Sequence, residues 1–317
     1  MKPCEQRFPW HLDWNLLRTF MVVVEQRGIS RAADFLGLKQ PTISSAIKRL
    51  EDTMGHQLFV RKSNEFRVTT AGQRLYSECS SIFGTVSQLP ALLEEGTDEL
   101  RGHISIATAS HVISEHFDEA LRRFSERQPK VTFSFAVAES DEVVSRISQN
   151  RMSLGMCLLH TIPADLQAKI LYREYFGLFC GNKHPLFDRK TIDVADLAGE
   201  RAVSFQTEVE GSALEQVTRL RLRAKIAAQW SGVSSNLLEV RRMIGANIGI
   251  GALPLHVARR DVALGLLRQL PPFEDLPLVN IYLLTNPRRR RSDTEAAFLK
   301  EFNTMLEAVS LDERTYS

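Results

Sequence analysis

The chain has 317 residues, 44% of them hydrophobic, and a formal net charge of +2, enough for about two or three ordinary domains. No apolar run approaches the ~18–20 residues a membrane helix needs. The first residues carry Pro3, Pro9 and charges instead of an apolar core, so they do not read as a secretory signal. The four cysteines, Cys4, Cys79, Cys157 and Cys180, show no CxxC spacing and no histidine cluster. That argues against a metal centre or disulfide framework and for a soluble cytoplasmic protein.

The first legible element is a helix whose face is marked by Leu16, Phe20, Val23 and Val24. Residues 29–61 then read as two short helices joined by a tight turn and followed by a basic hairpin. The first helix covers residues 30–36, with Ala32, Ala33 and Leu36 inward, and the turn is Gly37-Leu38-Lys39. The second opens at Gln40-Pro41-Thr42, where proline suits a first helical position because its missing amide would have no partner there. Ile43, Ile47 and Leu50 recur at i, i+4, i+7 and form the buried face. Thr42, Ser44, Ser45, Lys48 and Arg49 are left on the other faces, the layout of a helix entering a DNA major groove N-terminus first.

Any two packed helices with a glycine turn look similar, and a polar helix face is usually just solvated. The sequel separates the two cases. The stretches His56-Gln57-Leu58-Phe59-Val60-Arg61-Lys62 and Phe66-Arg67-Val68-Thr69-Thr70 flank Ser63-Asn64-Glu65 as a hairpin. Its Arg61, Lys62 and Arg67 suit a wing resting on phosphates. Residues 1–72 hold 11 Lys+Arg against 7 Asp+Glu, a net +4, which leaves 29 against 31, or −2, for the remainder. The positive excess fits phosphate neutralisation, but it is too small for one copy to hold DNA tightly.

The next segment predicts a second copy. Leu75, Cys79, Ile82, Val86, Leu89 and Leu93 follow steps of 4, 3, 4, 3 and 4, a heptad seam on one helix face. The competing reading is a helix packed on its own domain. Pro90 predicts a kink or an end near Gln88-Leu89, because it removes a helix hydrogen bond. Residues 94–99 read as a polar linker.

From Arg101 strands alternate with helices. Strands are predicted at residues 103–108, 131–137, 154–159, 175–180, 202–205, 225–229, 248–254 and 279–284. Helices are marked by Phe117, Leu121 and Phe124, by Val143, Val144 and Ile147, by residues 236–243, and by a closing helix at 293–309. This alternation argues for parallel sheets of βα units, and two sets in series suggest two lobes around a cleft. The run Arg288-Arg289-Arg290-Arg291 reads as a solvated loop before the closing helix. No nucleophile–base pair, metal-ligand spacing or cofactor loop supports catalysis, so the chain is expected not to be an enzyme and to need no cofactor.

Residues 12–75 resemble the N-terminal domain of LysR-type transcriptional regulators. The resemblance rests on Leu16-Leu17-Arg18-Thr19-Phe20, Ser30-Arg31-Ala32-Ala33, Leu36, Gln40-Pro41-Thr42-Ile43-Ser44, Ile47, Leu50-Glu51, Gly55, Leu58-Phe59-Val60-Arg61 and Thr69-Thr70-Ala71-Gly72. The remaining length also suits the family. Two departures stand out: the loop Arg27-Gly28-Ile29 is one residue shorter than usual, and residues 1–11 precede the matching stretch.

The resemblance implies an N-terminal winged helix-turn-helix, mainly α, a long linker helix, and an α/β two-lobed effector domain like a periplasmic binding protein. The expected boundaries are 1–72 for DNA binding, 73–98 for the linker and dimerisation helix, and 99–317 for the effector domain. Lobe I would cover about 101–161 and 271–309 and lobe II about 162–270, with crossovers near residues 160–165 and 267–272. Gly249-Ile250-Gly251-Ala252-Leu253-Pro254 matches the family's Gly-Ile-Gly-x-Leu-Pro run and is not a phosphate loop.

The implied function is sequence-specific DNA binding controlled by a small effector between the lobes. Gln40, Pro41, Thr42, Ser44 and Ser45 would approach base edges and nearby phosphates. Ser30, Arg31, Lys48 and Arg61 would mainly hold phosphates, Arg61 alternatively entering the minor groove. Helix N-termini in the cleft would attract an organic anion. Ser110 and His111, expected to begin the first helix of lobe I, would contact it, with Ser204, Thr207, Ser234 and Ser235 opposite. Serine and threonine there also serve as plain N-caps. Family analogy implies a homodimer or homotetramer and RNA polymerase as a possible partner. Two alternatives are a thiol redox sensor on the same fold, which needs two cysteines able to meet, and a solute-binding or enzymatic domain fused to a DNA-binding domain.

Overall fold

Leu16, Leu17, Phe20 and Val23 lie buried along α1 (Trp14–Glu25), whose first turn is capped by the Asp13 carboxylate accepting from Asn15 N–H. A computed structural model describes residues 12–62, 65–86, 89, 100–226 and 229–317. The chain divides into two units, Met1–Gln88 with Gln149–Arg151 and Leu89–Ser148 with Met152–Ser317. Each is built around its own core. Among the described residues no helix is long and apolar enough to cross a membrane.

In the first unit, α2 (Ile29–Leu36) ends at Gly37, whose left-handed backbone (φ 65) turns the chain. The amide of Leu38 donates back to the Ala33 carbonyl at 2.9 Å, the closing bond of a glycine-terminated helix. α3 (Gln40–Met54) starts with Pro41 in its first turn and buries Ile43, Ile47 and Leu50 completely, each worth about 1.5–3 kcal/mol relative to exposure. The hairpin pairs β1 (Phe59–Lys62) with β2 (Glu65–Val68), Phe59 opposite Val68 and Lys62 opposite Glu65. The tip residues Ser63-Asn64 lie outside the described residues, as do residues 1–11.

The next helix, α4 (Thr70–Val86), departs from the expected seam. Cys79 is fully buried in the first unit's core, and Leu75 packs against that core. These two heptad positions are therefore used within the chain, because α4 packs on α1. Val86 and Leu89 are 49% and 50% exposed and remain open for a partner. Pro90, Leu93 and the 94–99 linker lie outside the described residues.

The second unit holds two sheets joined by one long strand. Lobe I orders its strands β4-β3-β5-β11-β6, using β3 (Gly102–Thr108), β4 (Val131–Val137), β5 (Leu154–Leu158), β6 (Gln167–Gly181) and β11 (Leu278–Thr285). Lobe II continues from β6 through β9 (Ile250–Pro254) and β7 (Ala202–Phe205) to β8 (Trp230–Ser234), with β10 (Leu267–Leu270) also on β6. The β3–β4, β3–β5, β7–β8 and β7–β9 pairs are parallel. β5 and β9 are buried at every position, which is why they read as unbroken apolar runs. β12 (Thr315–Tyr316) adds to β6 beside Arg173 and Glu174.

The helices between them are α5 (Glu115–Arg127), α6 (Ser140–Ser148), α7 (Glu215–Arg223), α8 (Leu237–Gly245), α9 (Leu255–Ala263) and α10 (Asp293–Ala308). Three sequence expectations change here. The first crossover is not at 160–165: Gln167 to Tyr175 still pair with β11, and from Phe176 the same strand pairs with β9. A continuous strand carries the chain across, so no loop signal marks the passage. Of the strand expected at 225–229, residues 227–228 lie outside the described residues; the described strand is Trp230–Ser234, after Lys225 in a left-handed turn (φ 52). Arg289 does not belong to a solvated loop: its guanidinium pairs with Glu295 at 2.6 Å, and both side chains are nearly buried. Glu295 also closes the capping box of α10 with Ser292, so one of the four arginines fastens the closing helix.

Candidate functional site

The first candidate surface is the helix-turn-helix and its wing. Gln40, Pro41, Thr42, Ser45 and Lys48 are exposed on α3, and Ser44 is half-buried. Ser30 and Arg31 are exposed on α2, with the Arg31 guanidinium held to the Arg27 carbonyl. These side chains share the solvent side of two helices whose opposite faces form the core, so the same apolar spacing that folds the unit displays them. Arg61 lies on β1, opposite Phe66.

Sequence reasoning gave Glu51 no role, and the structure gives it one. Its carboxylate on α3 accepts from the amides of Leu58 at 2.8 Å and Phe59 at 3.2 Å. It thereby ties α3 to the start of the hairpin. On the other side, Thr69 donates its hydroxyl to the Gln57 carbonyl at 2.8 Å and accepts from Gly72 N–H at 3.0 Å. A Cβ on Gly72 would stand 2.4 Å from the Leu58 carbonyl oxygen, so only glycine lets α4 approach the wing this closely. The signal was present in Leu50-Glu51 and Thr69-Thr70-Ala71-Gly72, but only the fold says what each residue touches.

The second candidate is a cavity of about 320 Å³ between the lobes. Lobe I contributes Ser140, Asp141, Val144, Leu158, Leu159 and His160, and lobe II contributes Thr207, Gly211, Ser212 and Ala213. Of the six expected effector contacts, only Thr207 lines it. Ser110 does not begin a helix, since Ser114 caps α5 by accepting from Phe117 N–H. Instead the Ser110 hydroxyl donates to the Ser235 carbonyl at 3.0 Å and accepts from Leu237 N–H at 3.2 Å. It therefore caps α8 of the opposite lobe. The turn bearing it is held by Ile113 N–H donating to the Tyr172 hydroxyl at 3.0 Å.

His111 is buried edge-on to Phe205 of lobe II, neither ring nitrogen finds a hydrogen-bond partner among the described residues, and burial pushes its pKa down to about 4. Ser204 is fully buried, donates to the Phe205 carbonyl and does not line the cavity. Ser234 accepts from Asn236 N–H. Beneath this turn the carboxylate of Glu208 accepts from Arg221 at 3.2 Å, and burial pushes its pKa up to about 7. The Arg221 guanidinium in turn lies over the Trp230 ring.

The helix ends on which the anion expectation rests have their first amides largely occupied. The first amides of α8 are taken by Ser110 and Asn236, and the amide of Leu214 by Ser212. The first turns of α6 and α7 carry Asp141, Glu142 and Glu215. Negative side chains already complement those dipoles, and no lysine or arginine is among the described residues lining the cavity.

The described cysteines give a redox switch no purchase. Cys79, Cys157 and Cys180 are free and buried, and burial pushes their thiols up to about 11, 12 and 11. Cys157 and Cys180 belong to different core clusters.

A winged helix-turn-helix followed by two α/β lobes around a ligand-sized cavity is the architecture of an effector-controlled DNA-binding regulator. Comparison with known proteins makes the class specific. Residues 14–73 match the family described as bacterial regulatory helix-turn-helix protein, lysR family, and residues 97–307 match the LysR substrate binding domain. The chain belongs to the LysR family of transcriptional regulators. Among curated relatives, the HTH-type transcriptional regulator CysL of Bacillus subtilis (strain 168) is 26% identical over 255 residues, covering 78% of this chain and 83% of that protein. The HTH-type transcriptional activator BauR of Pseudomonas aeruginosa is 26% identical over 295 residues, covering 91% and 93%. Among solved structures, CbnR, a LysR family transcriptional regulator, superposes with a TM-score of 0.66 at 18% identity, covering 93% of this chain and 99% of that one. The protein is a DNA-binding transcriptional regulator under effector control.

Proposed function

We propose that the outer face of α3 reads operator DNA as one of a symmetric pair. Gln40, Pro41, Thr42, Ser44 and Ser45 approach base edges, and Ser30, Arg31, Lys48 and Arg61 grip phosphates. The observation that carries this reading is the exposed polar N-terminal half of α3, opposite a face that buries Ile43, Ile47 and Leu50 completely. Pairing runs through the outward positions of the linker helix, Val86 and Leu89 among them, as a homodimer or dimer of dimers working in the cytoplasm. The protein performs no reaction of its own. The effector occupies the 320 Å³ cavity between the lobes, and by binding one arrangement of the lobes better than another it resets the spacing of the DNA-binding units.

The test uses duplexes selected from random DNA by the full chain. Ser44→Ala with Lys48→Ala removes one base-edge hydroxyl and one phosphate contact, and base contacts are worth about 1–3 kcal/mol each. Affinity should fall at least about tenfold, with a shallower salt dependence. Unchanged affinity refutes the assignment of this face.

A further inference from the structure

We propose that the effector is a small amine, its protonated nitrogen held by Asp141 and its apolar body against Val144, Leu158, Leu159 and Pro163. The proposal rests on reading the inter-lobe cavity as the effector site. Three observations of charge and partnering carry it. First, Asp141 is exposed at the cavity wall, and among the described residues its carboxylate takes no hydrogen bond or ion pair, whereas its neighbour Glu142 is paired with Arg146 at 2.5 Å. Second, no lysine or arginine is among the described residues lining the cavity. Arg219, which lines an adjoining hollow of about 310 Å³, is occupied by Glu215 at 2.5 Å. Third, the helix starts beside the cavity carry acidic first turns, Asp141 and Glu142 on α6 and Glu215 on α7, and the Leu214 amide is taken by Ser212.

An anion entering this space would shed water and meet the Asp141 carboxylate, which is costly, with His160 as the one titratable cationic group among the described lining residues. An ammonium group gains a charge-assisted hydrogen bond with Asp141. The hydroxyls of Thr161 and Thr207 remain to orient it, while that of Ser212 is already spent on the Thr207 and Val209 carbonyls. The cavity volume, at the lower end of the ~300–1,000 Å³ usual for ligand pockets, limits the apolar body to a single ring or short chain.

The experiment screens the full-length protein by thermal shift and calorimetry against three matched sets. The ammonium set is benzylamine, cyclohexylamine and putrescine, the neutral set benzamide, cyclohexanol and succinamide, and the carboxylate set benzoate, cyclohexanecarboxylate and succinate. The expected result is stabilisation by at least one amine. Asp141→Asn should weaken its Kd at least about tenfold, and Thr161→Trp, a bulky side chain on an exposed wall position, should abolish binding. Ala213→Phe is a second blocking variant should the first alter folding. Binding by carboxylates, an amine that binds Asp141→Asn as tightly as wild type, or no amine binding at all overturns the proposal. The two readings fail differently. A carboxylate lost in both blocking variants overturns the amine alone. A ligand of any class that survives both blocking variants overturns the cavity as effector site.

Discussion

Replacing Ser110 with alanine tests how the two lobes are held together. Its hydroxyl makes two hydrogen bonds to lobe II, donating to Ser235 O at 3.0 Å and accepting from Leu237 N–H at 3.2 Å. Each such bond is worth about 0.5–1.5 kcal/mol net, so losing both costs about 1–3 kcal/mol. Loss of an N-cap alone typically costs about 0.5–2 kcal/mol, which agrees. Ser110 is half-buried, so water can reach the freed groups and the lower half of the range applies, about 1–2 kcal/mol. For a unit of this size that corresponds to a fall in Tm of about 2–8 °C. Trp230 lies in β8 of lobe II, while the other two tryptophans are Trp10 and Trp14. Urea unfolding followed by fluorescence in a Trp10→Phe, Trp14→Phe background therefore reports on the second unit alone. A midpoint unchanged by Ser110→Ala would refute the view that this hydroxyl bridges and caps across the cleft.

His111 makes stability pH-dependent. Its folded pKa, lowered to about 4 by burial, lies below the unfolded value of 6.5, so its contribution is complete above pH 6.5. It is lost as pH falls toward 4, because the unfolded chain takes up the proton first. Between pH 6.5 and 5 the loss from this group should be about 1.5–2 kcal/mol. Because buried Glu208 titrates with the opposite sign over the same window, the quantity to measure is the urea-derived stability of wild type minus that of His111→Leu, which should rise by that amount from pH 5 to 6.5. Gly72→Ala places a methyl 2.4 Å from the Leu58 carbonyl oxygen. It should destabilise the first unit by about 1–3 kcal/mol in circular dichroism melts. Arg289→Ala leaves Glu295 buried without its cation, and the loss should reach about 3–5 kcal/mol in denaturant unfolding. If that variant unfolds like wild type, the arginine run is merely solvated.

The first unit was legible residue by residue because its elements are local. Ile43, Ile47 and Leu50 declare a buried face, and Gly37 and Pro41 mark a stop and a start within a few residues of one another. In the second unit the apolar runs of β5 and β9 were legible for the same reason. What misled were features whose meaning depends on a distant partner. Leu75 and Cys79 satisfy a heptad, yet they serve the first unit's core because α1 is there to receive them. Arg289 reads as one of a charged run until Glu295 arrives from the closing helix. Ser110 looks like the cap of the next helix, but it caps a helix 127 residues later.

The sequence alone determined the buried face of α3, the glycine turn before it and the alternation of strands and helices after residue 101, because each follows from spacing within a short window, and it carried the family resemblance. Tertiary structure decided what the cleft contains. It used the first amides of α8 and the amide of Leu214 through Ser110, Asn236 and Ser212, buried Ser204 and His111 away from the lining, and left the Asp141 carboxylate without a hydrogen bond or ion pair among the described residues. Charge and hydrogen-bond capacity in a cavity depend on which groups have already paired across it, and one chain pattern cannot show pairings between segments about a hundred residues apart.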